Sequence, residues 1–514
     1  MTDTFLTIAN GAAAPLPHVP ILPVNAFRET VLDLVNRRQR RVSAFFALPA
    51  VAAAGPGRSL ELIAVLAHDD DHTCDLARTT VQDAFASLTP ACPTLAWFER
   101  ELAEQYGLVI TGHPWLKPIR FQPPMPDGAA NPTAHPRAIT AGETGYFTLS
   151  GEATHEVAVG PVHAGVIEPG HFRFQCLGED VFSLEISLGY QHRGIEKMLL
   201  GGPDRRTLPL LATASGDATI ASTTAYAQLC ESLAPALRPE PNALLLRGIA
   251  AELERLANHV GDLGALAGDV AFLTTASFCG RLRGEFLNMT AEICGNRFGR
   301  NLVRPGGVRF ALTPAKAEKI LHWLERVAKD VDNALDLMFD APTVLDRFEN
   351  TGAVSETAAL DIGLVGPAAR AAGLGRDIRF SHPAGCYAET APARAEAAGG
   401  DVLARALIRR REITASTVWL KDQLAHWQKD NRTTTAALPA LAPDSIAVSL
   451  VEAWRGEMCH VAVTDSHGAF RRYKIVDPSF HNWFGLALSL RGEQISHFPI
   501  CNKSFNLSYC GHDL

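Results

Sequence analysis

Apolar and polar positions alternate along this chain in three different rhythms. Near the start, RVSAFFALPA at 41–50 and LELIAVLA at 60–67 are apolar runs of strand length, and the acidic DDDH after the second marks a turn. The segment from Cys74 to Leu88 predicts a helix laid over that sheet. A second helix is expected from about Leu95 to Tyr106, with Trp97, Phe98, Leu102 and Tyr106 inward, Glu99, Arg100, Glu101 and Glu104 on its wetter side, and Gly107 as its stop. GHPWLKPIRF, Gly112 to Phe121, then reads as an irregular segment whose aromatic anchors and basic finish suit it to lie against another surface.

From Pro123 to Glu143 the composition shifts to repeated Pro and Gly with few large apolar residues, which cannot build a core element. The chain is therefore divided into a domain over 1–125, a linker over 126–145 and a larger domain over 146–514. Phe172 to Tyr190 predicts two strands joined through Gly178-Glu179-Asp180. The rhythm then becomes helical, with helices expected over Ala243–Phe272, Arg281–Cys294, Pro314–Met338 and Asp401–Trp427. Thr313 is the N-cap of the third, Pro314 its first helical residue, and Leu321, Leu324, Ala328, Val331 and Leu335 its core stripe. The first is apolar on much of its circumference and belongs at the centre of a bundle. The polar, Pro-rich DNRTTTAALPALAPDS leads to a hairpin turning at Asp465 to Gly468, and the aromatic-rich stretch from Asp477 to Leu514 predicts a terminus buried in the fold. The fold class is α+β: a small mixed α/β domain, then a large mainly helical domain with peripheral antiparallel strands.

Length and composition refine this picture. A chain of 514 residues exceeds one ordinary domain, and 47% apolar residues suffice for packed cores. A formal charge of -8 argues against a basic face for nucleic acid. No apolar stretch is long enough to span a membrane, and the start lacks the basic region and apolar core of an export signal. The expected location is the cytoplasmic face of the inner membrane, reached through partners. The ten cysteines follow no secreted disulfide pattern and contain no CxxC pair, so most are expected to be small buried hydrophobes.

Several motifs occur in order. WFERELAEQYGLVITGHPWLKPIRF resembles the 30-kDa-type subunit of respiratory complex I. GPVHAGVIEPGHFRFQ, GYQHRGIEK, ELERLANHVGDLG, NRFGRNLVRPGGV, VEAWRGE and the terminal DPSF segment resemble the 49-kDa-type subunit and the large subunit of membrane-bound nickel-iron hydrogenases. Fused in this order, the two resemble the large subunits of formate-hydrogenlyase-type hydrogenases. Active members hold nickel and iron on two CxxC pairs; here the matching positions are Ser215 and Ala218 in SGDA, and Ser508 and Gly511 in SYCG, with Cys510 one residue out of register. Serine is a hard, weakly acidic donor and a poor substitute for a thiolate. The resemblance thus implies no metal ligands in this chain and no hydrogenase activity of its own.

The resemblance implies further roles. Glu168 falls on the acidic residue that passes protons near nickel, and Asp217 lies inside the first degenerate motif, so the two are candidates for a proton relay; the structural alternative pairs Glu168 with an arginine or an amide and makes Asp217 a helix cap. His163 and His171 flank Glu168, where hydrogen bonding competes with metal binding. His192, Arg193 and Glu196 would face the partner's iron-sulfur cluster, or else form a solvated helix start. Arg300 and Arg304 serve partner or internal carboxylates, around a tight turn at Gly306-Gly307.

In function, the resemblance implies a non-hydrogenase subunit of a membrane-bound redox complex. It would pack on a 20-kDa-type iron-sulfur subunit, with a ferredoxin-like subunit and antiporter-like membrane subunits as further partners, and would couple electron transfer to the membrane arm. The chain would carry no cofactor itself; the iron-sulfur cluster would sit in the partner. NAD and quinone are the substrates of the complex I relatives. A quinone site is the less supported possibility, because IEPGH offers no matching histidine and Tyr226 is not matched to the required tyrosine. The alternatives are a purely structural assembly scaffold, a quinone-reducing subunit and an atypical hydrogenase large subunit.

Overall fold

The computed structural model describes residues 4–50, 59–125, 141–164, 167–428, 430–434 and 438–514. The first unit contains β1 (Leu6–Ala9), β2 (Ala13–Pro15), β3 (Ile21–Leu22), α1 (Val24–Leu32), β4 (Arg41–Pro49), β5 (Leu60–His68), β6 (Thr73–Val81), β7 (Ala84–Ala86), α2 (Ala96–Tyr106) and β8 (Val109–Thr111). Its sheet runs β1-β6-β5-β4, with β3 parallel to β6. The two apolar runs are its strands β4 and β5, paired Phe45 to Ala64 and Phe46 to Ile63 and buried on both faces, which is why neither alternates with polar residues.

Two expectations fail here. The segment from Cys74 to Leu88 is not a helix: it forms β6 and β7. Thr79-Thr80-Val81 is a β-branched run, and the DDDH turn brings the segment back along all of β5, from Leu60 opposite Val81 to His68 opposite Thr73. Nor is the polar side of α2 wet, because Glu99, Arg100, Glu101 and Glu104 are all buried. Each is paired internally. Glu99 accepts from the Leu88 amide at 2.6 Å and the Thr89 hydroxyl at 2.6 Å, Arg100 donates to the carbonyls of Lys117 and Pro118, and Glu104 accepts from the Arg120 amide. Gly107 ends the helix at φ 64°, as expected.

The remaining elements are β9 (Thr154–Val159), β10 (His171–Leu177), β11 (Asp180–Ser187), α3 (Ile195–Met198), α4 (Thr207–Leu211), α5 (Thr219–Leu233), α6 (Pro241–Asp269), α7 (Leu273–Cys294), β12 (Val303–Arg304), β13 (Gly307–Val308), α8 (Pro314–Phe339), α9 (Pro342–Phe348), α10 (Glu356–Asp361), α11 (Gly366–Ala371), α12 (Ile378–Ser381), α13 (Val402–Ala425), β14 (Ser445–Ala453), β15 (Gly456–Thr464), β16 (Phe470–Val476), α14 (Pro478–Ser489), α15 (Phe498–Phe505) and α16 (Tyr509–Asp513). Helix α6 packs against α7 and α13, with α8 across both, so the apolar helix is central to the bundle. Thr313 caps α8 by accepting from the Lys316 amide. Helix α7 begins at Leu273, earlier than Arg281, in a stretch without apolar periodicity; the Thr275 hydroxyl pins it to the Ala334 carbonyl of α8 at 2.8 Å.

The two units are interwoven. Strand β2 is the edge of the sheet β16-β15-β14-β2, paired Ala14 to Ile446. The GHPWLKPIRF segment finds its surface within the same chain: Lys117 pairs with Glu185, and the Arg120 guanidinium donates to the His512 carbonyl at 2.6 Å. Most of the linker expected over 126–145, namely 126–140, lies outside the described residues, as do 435–437 of the Pro-rich run. Eight of the ten cysteines are buried; Cys386 and Cys510 are half-buried. No described helix is long and apolar enough to cross a membrane.

Candidate functional site

Helix α16 carries the second degenerate motif, and the turn before α5 carries the first. The fold brings them together. Ser508 is the N-cap of α16, its hydroxyl accepting from the Gly511 amide at 2.9 Å, while its own amide donates to Ser479. The Ser215 hydroxyl lies 3.1 Å from that of Ser508. Two of the four positions that the resemblance sets against metal thiolates thus meet as a hydroxyl pair.

The other two positions are closed. Ala218 is buried in a small apolar cluster with Ala221, Ala225, Trp454 and Met458. At Gly511 even a Cβ would stand 2.5 Å from the Asp477 carboxylate and 2.9 Å from Ser508 Oγ, so a cysteine has no room without moving a buried acid. Hydroxyls, a methyl group and a hydrogen do not fit a soft metal, and no described group of three or more His, Cys, Asp or Glu side chains could hold one.

What remains is a string of protic groups. Asp217 Oδ1 lies 3.3 Å from the Ser215 hydroxyl, Ser215 is bonded to Ser508, and Ser508 Oγ lies 3.4 Å from Cys510 Sγ. Burial, and next the Glu168 carboxylate beside it, push the Cys510 thiol up to about 11. Glu168 itself accepts from the Tyr509 amide at 3.3 Å. The structure therefore gathers Glu168, Ser215, Asp217, Ser508 and Cys510 at one place.

Asp217 is not a helix cap: residue 218 is the N-cap of α5, and no side chain caps it. Its carboxylate forms a two-pronged ion pair with Arg455, at 2.6 and 2.8 Å. Burial opposes its charge, but Arg455 prevails and the carboxyl is held below the usual range. Arg455 is fixed in turn by stacking on Trp454, 3.8 Å from the ring centre, and by the Asn506 carbonyl.

The remaining candidates are placed differently. His163 and His171 have their rings bonded to the carbonyls of Gly170 and Gly160 across the turn that contains Glu168. His192 bonds the Asp513 carbonyl, and Arg193 braces the approach to Ser215 by donating to the carbonyls of Thr213 and Ala214. Glu196 is buried and paired with Arg472 at 2.9 Å and Lys474 at 3.1 Å. Arg304 donates to Asn301, and Gly306 and Gly307 form the turn between β12 and β13 at φ 81° and 148°. Tyr226 is buried in the apolar cluster around Cys230 and Tyr473.

One acid escaped the sequence reading. Glu254 stands on α6 and accepts from the amides of Ile220 and Ala221 at the start of α5. Burial raises it to about 8, the amides offset this in part, and Asp217 adds to it. In the sequence it stands in the ELERLANHVGDLG motif, as a carboxylate within an apolar helix. Because the folded state keeps this proton to about pH 8 while an unfolded glutamate releases it near the ordinary 4.5, stability should fall as pH rises across that window and level off above it. Glu254→Gln should remove that slope. Urea midpoints across the window, for the chain and the variant, check it.

Two family models match. The respiratory-chain NADH dehydrogenase 49 Kd subunit matches residues 269–446, and the 30 Kd subunit matches residues 23–136. Hydrogenase-4 component G of Escherichia coli is 28% identical over 439 residues, 83% of this chain and 75% of the relative. Formate hydrogenlyase subunit 5 of the same organism is 27% identical over 440 residues, 83% of this chain and 76% of the relative. NADH-quinone oxidoreductase subunit 4 of Thermus thermophilus is 26% identical over 362 residues, 66% of this chain and 88% of the relative. The chain is therefore a fused 30-kDa-like and 49-kDa-like polypeptide of the complex I kind, related to the hydrogenase-4 and formate hydrogenlyase subunits, and its described residues carry no metal-binding cluster.

Proposed function

We propose that this chain is a peripheral, non-hydrogenase subunit of a membrane-bound redox complex, seated on an iron-sulfur small subunit through which the electrons pass. The single observation that carries this reading is the hydroxyl pair Ser215–Ser508 beside the closed position at Gly511, because positions that the resemblance matches to metal thiolates come together here without a thiolate among them. The likeness to hydrogenase-4, formate hydrogenlyase and NADH-quinone oxidoreductase subunits supports membership of such a complex. Contact with the partner's cluster would fall to His192 and Arg193, since Glu196 is held within the chain.

Within the complex, the string Asp217–Ser215–Ser508–Cys510–Glu168 acts as a proton relay. The Ser215 hydroxyl can turn between Asp217 and Ser508, and Cys510 stands between Ser508 and Glu168, so a proton entering at one carboxylate displaces one at the other without a metal. The test uses the complex purified through this chain. Ser215→Ala and Glu168→Gln should each lower turnover about tenfold or more and shift its pH profile, while the iron-sulfur partners still copurify. Unchanged turnover and pH profile in an intact complex would leave a structural scaffold.

A further inference from the structure

A second polar cleft lies away from the serine pair, on the seam between the two units. Its cavity is about 340 Å³, and three arginines line it: Arg40 and Arg41 at the start of β4, and Arg376 between α11 and α12. We propose that this cleft binds a small oxyanion, inorganic phosphate or the phosphate of a nucleotide, with Arg376 as its principal ligand.

The argument rests on which guanidinium lacks a counterion. Arg41 is fully engaged, with both Asp69 oxygens at 2.7 Å and with Glu457. Arg40 pairs with Asp75 at 3.0 Å and donates to the Arg38 carbonyl. Arg376 donates to the Leu364 carbonyl at 2.9 Å, and no described carboxylate lies within ion-pair distance of it. Asp69, which could have served it, is taken by Arg41 and by His382 at 3.0 Å. Burial, and next the neighbouring Arg41, push the Arg376 guanidinium down to about 10, with Asp69 and Glu457 offsetting this only in part.

A half-buried cation that lines a polar cleft and has no described carboxylate partner is an incomplete ion pair. Phosphate suits it, because a planar guanidinium binds two of its oxygens at once. Asp361 is the one carboxylate on the lining, and it stands exposed at the rim. Since the first unit contributes Arg40 and Arg41 and the larger one Arg376, a bound anion would also tie the 30-kDa-like unit to the 49-kDa-like one.

Calorimetric titration of the full chain with inorganic phosphate, in a buffer free of other oxyanions, tests the site. Saturable one-to-one binding is expected, together with a rise in melting temperature. Arg376→Gln should weaken binding by about tenfold or more, as loss of a charge-assisted pair does. In phosphate-free buffer the same variant should melt no lower than the parent, since it loses a charge without a counterion. Adding AMP separates the sources: competition with phosphate that Arg376→Gln abolishes assigns a nucleotide phosphate, and absence of competition assigns the free ion, either upholding the site. No binding by the parent, equal affinity in Arg376→Gln, or a variant that melts well below the parent without phosphate would overturn it.

Discussion

Glu412→Gln is expected to cost the chain about 3–5 kcal/mol, the scale on which a buried ion network fails when one partner is removed. Glu412 is fully buried on α13 and accepts from Arg370, from His259 at 2.6 Å and from Arg255 at 3.5 Å, with Arg379 at 3.9 Å. Burial works against its charge, but Arg370 and then His259 outweigh it and hold the carboxyl well below the usual range. Glutamine keeps the shape and removes the charge, leaving Arg370 with Glu452 at 2.8 Å and Arg255 with Glu252 at 3.1 Å. Because folded chains are stable by only about 5–15 kcal/mol, the variant should accumulate poorly and unfold at much lower urea. Asp204→Asn, which removes the charge from an exposed pair with Arg206, should leave the urea midpoint nearly unchanged. Comparable midpoints for the two variants would show that the buried network contributes little.

Glu101→Gln is expected to act on the same scale, about 3–5 kcal/mol, but at the seam. Glu101 projects from α2 into the large unit, where Lys474 lies 2.6 and 2.7 Å from its two oxygens and Arg120 completes the pair. All three are buried, and Arg120 also holds the His512 carbonyl, so the network reaches from the 30-kDa-like unit to the helix that carries Ser508. Amide exchange in the variant should accelerate in β16 and α16 while β5 stays protected. The double replacement Glu101→Leu with Lys474→Met should cost less than Glu101→Leu alone, because only Arg120, and not Lys474 as well, is then left without the Glu101 carboxylate. Uniform acceleration across the chain would instead mean that the seam has no separate stability.

These two networks also mark what the sequence leaves hidden. Apolar rhythm was enough to locate β4, β5, α2, α6, α8 and α13, because burial on two faces or along one stripe fixes the order of side chains. It misplaced 74–88, where a strand partner sixty residues into the chain outweighs local helical pattern. It also placed Glu99, Arg100, Glu101 and Glu104 in water, since periodicity shows which face of a helix is apolar but not whether the other face meets its own counterions. At the site, the degenerate motifs were legible as missing thiols. Their meeting as Ser215 and Ser508 and the Arg455 partner of Asp217 depend on residues more than two hundred positions apart, and the collision that Gly511 avoids with Asp477 depends on how α16 packs on α14. Glu254 and Arg376 were missed for the same reason: a single charge gains its significance from burial and from the partners it lacks.

The most direct measurement of the central claim is the nickel and iron content of the native complex purified through this chain, taken beside the isolated chain. Iron in the complex, no nickel in either sample and a metal-free isolated chain are expected, because Ser215, Ala218, Ser508 and Gly511 supply no thiolate. Stoichiometric nickel in both samples would contradict the loss of the centre and would require ligands other than the four positions that the serine pair and its closed neighbours occupy.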